Sequence, residues 1–180
     1  MRFKIDVILG GDLQTTVSKP IIFEGIGLHK GLWSKLVVLP AKVDSGICFK
    51  RSDIAKGNKF IPAVLDNVVK SELCTRLANS DGVSVHTVEH LMAALTGCGI
   101  NNALLEIDGP EVPILDGSAL VFVKEILKTG IKLQQKSLKA VQILRAVKYE
   151  HGSAWAKFKP SMNPKMSFSI EFSDEAIGTQ

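Results

Sequence analysis

The sequence predicts an α+β fold: a two-layer α/β sandwich domain, a sheet with two helices on one face, followed by the first strands of a second, similar domain. Three observations carry this reading. β-branched and aromatic runs separated by turn residues fill the early chain, two segments of helical periodicity follow, and strand-like patterning returns beyond residue 140. A mean hydropathy of +0.19, with 46% hydrophobic and 22% charged residues, excludes intrinsic disorder. The length of 180 residues exceeds one common domain and falls short of two.

Residues 5–9 form a short apolar run, but Asp6 interrupts it and no small-residue cleavage site follows, so it fails as a signal peptide. Gly25-Ile26-Gly27-Leu28-His29-Lys30-Gly31 has the glycine spacing of neither a dinucleotide fingerprint nor a P-loop. It reads as a turn between strands, with His29 and Lys30 placed to face an anionic substrate. Leu36-Val37-Val38-Leu39 and Ile47-Cys48-Phe49, separated by Pro40, Asp44, Ser45 and Gly46, read as strands. Over residues 87–96, Val88, Leu91, Met92 and Leu95 repeat at helical spacing, and Gly97 reads as the stop. Ala103-Leu104-Leu105-Glu106-Ile107 is a predicted strand and Asp108-Gly109-Pro110 a turn. Asp116 is the expected N-cap of a second helix packed through Leu120, Val123, Ile126 and Leu127 and ended by Gly130.

These elements place a first domain at residues 1–135. The polar Gln134-Gln135-Lys136-Ser137 reads as the linker into residues 136–180, where strands are expected at 141–149, 154–159 and 166–173. In the last of these, Met166, Phe168, Ile170 and Phe172 alternate with polar residues, giving an apolar face that no following helix covers.

Charge and cysteines set the compartment. Twenty-two Lys and Arg against 18 Asp and Glu give +4, a mild bias toward anionic partners. Cys48, Cys74 and Cys98 lack any C-x-x-C spacing, which argues against a disulfide framework or a zinc knuckle and for a reducing, cytoplasmic setting. No stretch approaches the roughly 20 apolar residues of a transmembrane segment.

The chemistry-bearing signal is His86-Thr87-Val88-Glu89-His90. On a helical wheel His86, Glu89, His90 and Ala93 cluster opposite the apolar face, so the polar trio faces a cleft or water. Glu89 sits in the first turn, where the helix dipole favours a carboxylate. Taken literally, H-x-x-E-H is also the spacing of an inverzincin-type metallohydrolase, with Glu150, Glu171 or Glu175 as a distant third ligand. Cys74 alone reads as a small buried hydrophobe, and His151 as a turn residue without a partner. Lys157, Lys159 and Lys165 beside Trp155 and Phe158 admit a non-catalytic, basic RNA-binding module, although alternating lysines along a strand ordinarily make a solvated face.

Five segments in register resemble one family. They are Glu24-Gly25-Ile26-Gly27-Leu28-His29-Lys30-Gly31, Leu73-Cys74-Thr75, Thr87-Val88-Glu89-His90-Leu91, Pro113-Ile114-Leu115-Asp116-Gly117-Ser118-Ala119 and Trp155-Ala156-Lys157-Phe158-Lys159-Pro160. The chain from about Gln14 onward is similar to UDP-3-O-acyl-N-acetylglucosamine deacetylases, the zinc amidases of lipid A biosynthesis. The resemblance implies two related α/β sandwiches with the active site between them, Zn2+ as cofactor, and UDP-3-O-acyl-N-acetylglucosamine rather than nucleic acid as partner. It implies His90 as a zinc ligand and Glu89 as general base, and it places Leu73, Cys74, His29 and Asp116 near the substrate. His86 is not a ligand in that family, which weakens the inverzincin reading. The family's other two ligands lie in an H-K-x-x-D pattern of the second domain. Here the one His-Lys pair, His29-Lys30, is followed by Gly31, Leu32 and Trp33. The chain is therefore expected to be a truncated form, lacking the C-terminal domain that completes the site, and inactive alone.

Overall fold

The computed structural model describes residues 13–139, 141–162 and 165–179, so residues 5–9 lie outside the described part. The chain divides into two compact units, one ending at Leu138 and the other beginning at Lys139. The fold is α+β, as the sequence indicates.

The first unit is built on a five-stranded sheet of β2 (Ile21–Ile26), β3 (Trp33–Pro40), β9 (Ala103–Ile107), β4 (Ile47–Arg51) and β5 (Phe60–Pro62), in that order, antiparallel except for the parallel β4–β9 pair. The register explains the core. Phe23 pairs with Leu36, Leu36 with Ile107, Val38 with Leu105, and Phe49 with both Leu105 and Ile61. Alternation therefore puts these buried side chains on one face. The two helices, α1 (Glu89–Gly97) and α2 (Leu120–Thr129), bury Leu91, Ala94 and Leu95, and Phe122 and Ile126, in the same apolar cluster. Phe122 meets Phe23 edge-on with ring centroids 4.8 Å apart.

Two smaller sheets frame this core. β1 (Leu13–Val17) pairs with β10 (Ile131–Ser137), and β6 (Val68–Val69), β7 (Arg76–Ala78) and β8 (Ser84–His86) form a short antiparallel sheet. The expected linker is thus strand. Polarity misled there because Gln134 and its neighbours bind sideways: Asn102 Nδ2 donates to Gln134 Oε1 at 2.7 Å and Gln134 Nε2 donates to the Ala41 carbonyl at 2.8 Å. The first unit accordingly runs past residue 135 to Leu138.

Both helix ends also need correcting. α1 stops at a Schellman motif: Gly99, with φ +71°, follows the cap residue Cys98, Ile100 N–H donates to the Leu95 carbonyl and Gly99 N–H to that of Thr96. Gly97, the expected stop, is the last helical residue. At α2 the cap position is Ala119, and Asp116 forms a turn instead, accepting from Ser118 N–H and Oγ, while Ser118 Oγ accepts from Leu120 N–H. Phe122 and Ile126 are buried and Val123 is partly buried, with Leu120 and Leu127 half exposed.

In the second unit β11 (Val147–His151) and β12 (Ala154–Phe158) form a hairpin turned at Gly152 (φ +59°). The strand expected from 141 starts only at Val147, and residues 166–173 make no strand. Glu171 forms one isolated bridge to Thr179, and Met166 and Phe168 stay exposed. Alternation supplies a face, but strand pairing requires a partner, and the two-stranded sheet offers these residues none.

Candidate functional site

The site forms where the small sheet meets the first turn of α1. Thr75, just before β7, grips the helix N-terminus from both sides of its peptide: its N–H donates to Glu89 Oε2 at 3.1 Å, and its carbonyl accepts from Val88 N–H at 3.4 Å. Glu89 is therefore held half-buried, with its carboxylate at the dipole-positive end of the helix. His90 beside it is also half-buried. It has no hydrogen bond or ion pair among the described residues, so its imidazole is available to one ligand.

His86 departs from the helical wheel. It lies in β8, paired with Arg76, and Thr87 intervenes in a left-handed conformation (φ +57°) before the helix starts at Glu89. His86 and Glu89 thus do not share a helix face, and the premise of the H-x-x-E-H spacing fails.

Beside the helix start, an open cleft of about 520 Å³ is lined by His29, Lys30, Lys70, Ser71, Glu72, Leu73, Cys74, Arg76 and His86. Three of the sequence-predicted substrate residues, His29, Leu73 and Cys74, converge on it. Asp116 does not line it; it is exposed at its turn, where the hydrogen bonds from Ser118 hold its carboxyl below the usual range. Cys74 is only partly buried, with Sγ 3.2 Å from Ser71 Oγ and 4.0 Å from His86 Nδ1. Leu73 is 92% exposed with φ +57°, a left-handed conformation that is strained for a bulky side chain.

The residue that sequence reasoning missed is Glu111. It is 1% exposed, and its carboxylate accepts from Thr87 Oγ1 at 2.6 Å, from His29 N–H at 2.9 Å and from Lys30 N–H at 2.8 Å. One buried carboxylate thus ties the glycine-rich turn to the residue two before Glu89. Burial pushes its pKa up, but these donors together outweigh it and leave the pKa below the usual carboxylate value. Gly27 is the counterpart. A Cβ there would clash with Glu111 Oε2 and stand 2.8 Å from its Cδ, so glycine is needed for space rather than for phosphate binding. An acidic residue set between Pro110 and Val112-Pro113, in otherwise apolar surroundings, was the available signal.

No group of three or more His, Cys, Asp or Glu that could hold a metal ion occurs among the described residues. Catalytic zinc takes three protein ligands, and the Glu89–His90 pair supplies one imidazole and one carboxylate. The described residues therefore do not fit a resident zinc by themselves.

Comparison with known proteins identifies the family of the chain. Residues 14–180 match the family model described as LpxC, UDP-3-O-acyl N-acetylglycosamine deacetylase. A protein of Phenylobacterium zucineum (strain HLK1) named UDP-3-O-acyl-N-acetylglucosamine deacetylase is 41% identical over 167 residues, covering 93% of this chain and 57% of that protein. The so-named proteins of Shewanella pealeana and Shewanella frigidimarina are each 42% identical over 164 residues, 91% of this chain and 53% of theirs. The chain belongs to the UDP-3-O-acyl N-acetylglycosamine deacetylase family, and it spans a little over half the length of these relatives.

Proposed function

We propose that this chain carries the general-base half of a zinc-dependent amidase that hydrolyses the N-acetyl group of UDP-3-O-acyl-N-acetylglucosamine in lipid A biosynthesis. The observation that carries the proposal is the Glu89 carboxylate, fixed by Thr75 N–H at the first turn of α1 beside an available His90, in a chain of this family. Glu89 accepts the proton of the attacking water, the water oxygen bonds to the acetamide carbon, and the C–N bond breaks as that proton passes to the departing nitrogen, giving acetate and a free amine. His29, Leu73 and Cys74 face the substrate from the cleft, and Asp116, outside its lining, contacts the substrate from its own turn.

His90 is the one metal ligand in this scheme, and two further ligands come from a second domain of similar α/β build. This division is supported by the shortage of metal donors among the described residues. The reaction belongs in the cytoplasm, consistent with three thiols in no C-x-x-C pattern and no described helix long and apolar enough to cross a membrane.

The test joins this chain to the remaining part of the Phenylobacterium zucineum relative. The fusion should release acetate, and Glu89→Gln should lower kcat at least about 100-fold. The unfused chain should bind zinc weakly and release none. A Glu89→Gln rate near that of the parent fusion would reject the base assignment, and stoichiometric tight zinc with acetate release by the unfused chain would reject the division of ligands.

A further inference from the structure

The end of the β2–β3 hairpin is apolar where a surface turn is ordinarily polar. Ile26, the last residue of β2, and Trp33, the first of β3, are cross-strand partners on one face of the sheet. They are 53% and 65% exposed, and Leu28 and Leu32 in the turn between them are 60% and 55% exposed. A single exposed leucine needs no explanation, but four large apolar side chains on one short turn do. The turn is closed on itself. Gly27 N–H donates to the Leu32 carbonyl at 2.9 Å, Gly31 N–H to the Gly27 carbonyl at 3.1 Å, and the amides of His29 and Lys30 to the buried Glu111 carboxylate. The Lys30 side chain is exposed and takes part in none of the ion pairs found among the described residues. Two residues beyond Trp33 on the same face, Lys35 Nζ pairs with Glu24 Oε1 at 3.2 Å, and there the apolar patch ends.

Apolar side chains gain when they leave water, but the backbone that carries them must then leave water too, and an unpaired amide in an apolar layer is costly. Here the N–H groups of Gly27, His29, Lys30 and Gly31 already have acceptors inside the protein, so the turn can enter such a layer without that penalty. Tryptophan, with an apolar body and one N–H, favours the boundary between hydrocarbon and headgroups. Strand rise sets the Glu24–Lys35 pair about 7 Å from Trp33, comparable with the depth of roughly 5–10 Å to which interfacial apolar groups sink. We propose that the β2–β3 turn inserts Leu28, Leu32 and Trp33 into the surface of a lipid bilayer of net negative charge, with Lys30 among the headgroups. Charge points the same way, since the unpaired Lys30 ammonium and the net +4 of the chain complement an anionic surface. One turn and one lysine make a reversible contact rather than a permanent anchor. The inference goes beyond the deacetylase reading and does not rest on it, because Glu89, His90 and turnover take no part.

The experiment is co-sedimentation and tryptophan fluorescence of the whole chain with vesicles of phosphatidylcholine containing about 30% phosphatidylglycerol, and with vesicles of phosphatidylcholine alone. The chain has two tryptophans, so Trp155→Phe leaves Trp33 as the sole reporter and Trp33→Phe leaves Trp155. Anionic vesicles should shift the Trp33 emission to the blue. Lys30→Gln should weaken partitioning about fivefold, and Leu32→Ser roughly three- to tenfold. Both positions are exposed, so the urea midpoint should stay that of the parent chain. Leu127→Ser removes a similarly exposed leucine from α2 and should leave partitioning unaltered. Partitioning should also fall as NaCl rises from about 50 to about 500 mM. No shift of Trp33 at about 1 mM lipid, a shift of Trp155 alone, equal losses from Leu32→Ser and Leu127→Ser, or equal binding to neutral and anionic vesicles would each overturn the proposal. A blue shift of Trp33 that grows with protein concentration in the absence of vesicles would overturn it too, in favour of a second copy of the chain as the occupant.

Discussion

Removing the Glu111 carboxylate should loosen the turn and the helix start together. In Glu111→Ala the Thr87 hydroxyl and the amides of His29 and Lys30 lose their common acceptor. Leaving a buried donor unpaired costs about 1–3 kcal/mol. Thr87 is buried and carries that cost in full, whereas the two amides lie on an exposed turn that water reaches more easily. A total loss of about 3–4 kcal/mol follows. Urea unfolding measures it, and hydrogen exchange at amides 29 and 30 should speed up in parallel. Glu111→Gln, which keeps one acceptor oxygen, should lose about half as much. Acid gives a second handle. Because the folded-state pKa of Glu111 is depressed, its contribution is fully present above the unfolded value of about 4.3 and disappears as pH falls through the lower folded value. That part of the acid-induced loss should be missing in Glu111→Gln. A loss under about 1 kcal/mol in Glu111→Ala, with amides 29 and 30 as protected as before, would refute the bridging role.

Two further substitutions probe the same region. Gly27→Ala should cost about 2 kcal/mol or more in urea unfolding, because the new Cβ meets a carboxylate pinned by three donors; a neutral result would mean that Glu111 moves freely. Leu73→Gly should leave stability unchanged or raise it by up to about 1 kcal/mol, since it removes left-handed strain and surrenders almost no burial. A clear loss of stability would show that Leu73 packs against a neighbour.

The parts of the fold legible in the sequence were those whose pattern and partner lie close together or carry strong periodicity. Residues 103–107 form β9 as expected, and the apolar stripe of α1 is buried at Val88, Leu91 and Leu95. Two of the failures share one cause, which is that tertiary pairing decides them. Gln134 looks like linker until Asn102 and the Ala41 carbonyl supply its partners, and residues 166–173 look like strand until pairing is required. At the site, Glu89 and His90 stood out by adjacency. Glu111 did not, because its three donors come from residues 24 and about 80 positions away in the chain.

Backbone strain ties these observations to function. Asp44, Leu73, Thr87 and Leu115 are the non-glycine residues with positive φ among those described, and all but Asp44 fall in segments that resemble the deacetylase family. A β-branched residue such as Thr87 holds a left-handed conformation only if its surroundings cost more to rearrange than the strain itself, about 1–3 kcal/mol. The structure shows that constraint: Thr87 is 3% exposed, its hydroxyl is bound by Glu111, and the next residue, Val88, donates to the Thr75 carbonyl. Leu115 is held by flanking bonds, from Ile114 N–H to the Ile26 carbonyl and from Gly117 N–H to that of Ile114. Leu73 differs, being nearly bare on the rim of the cleft. An exposed, strained leucine gains no burial from folding, and the deacetylase reading gives it a substrate contact from the rim of the cleft. Leu73→Gly in the fusion should accordingly raise KM several-fold while leaving urea stability intact, a split that a purely structural residue would not produce.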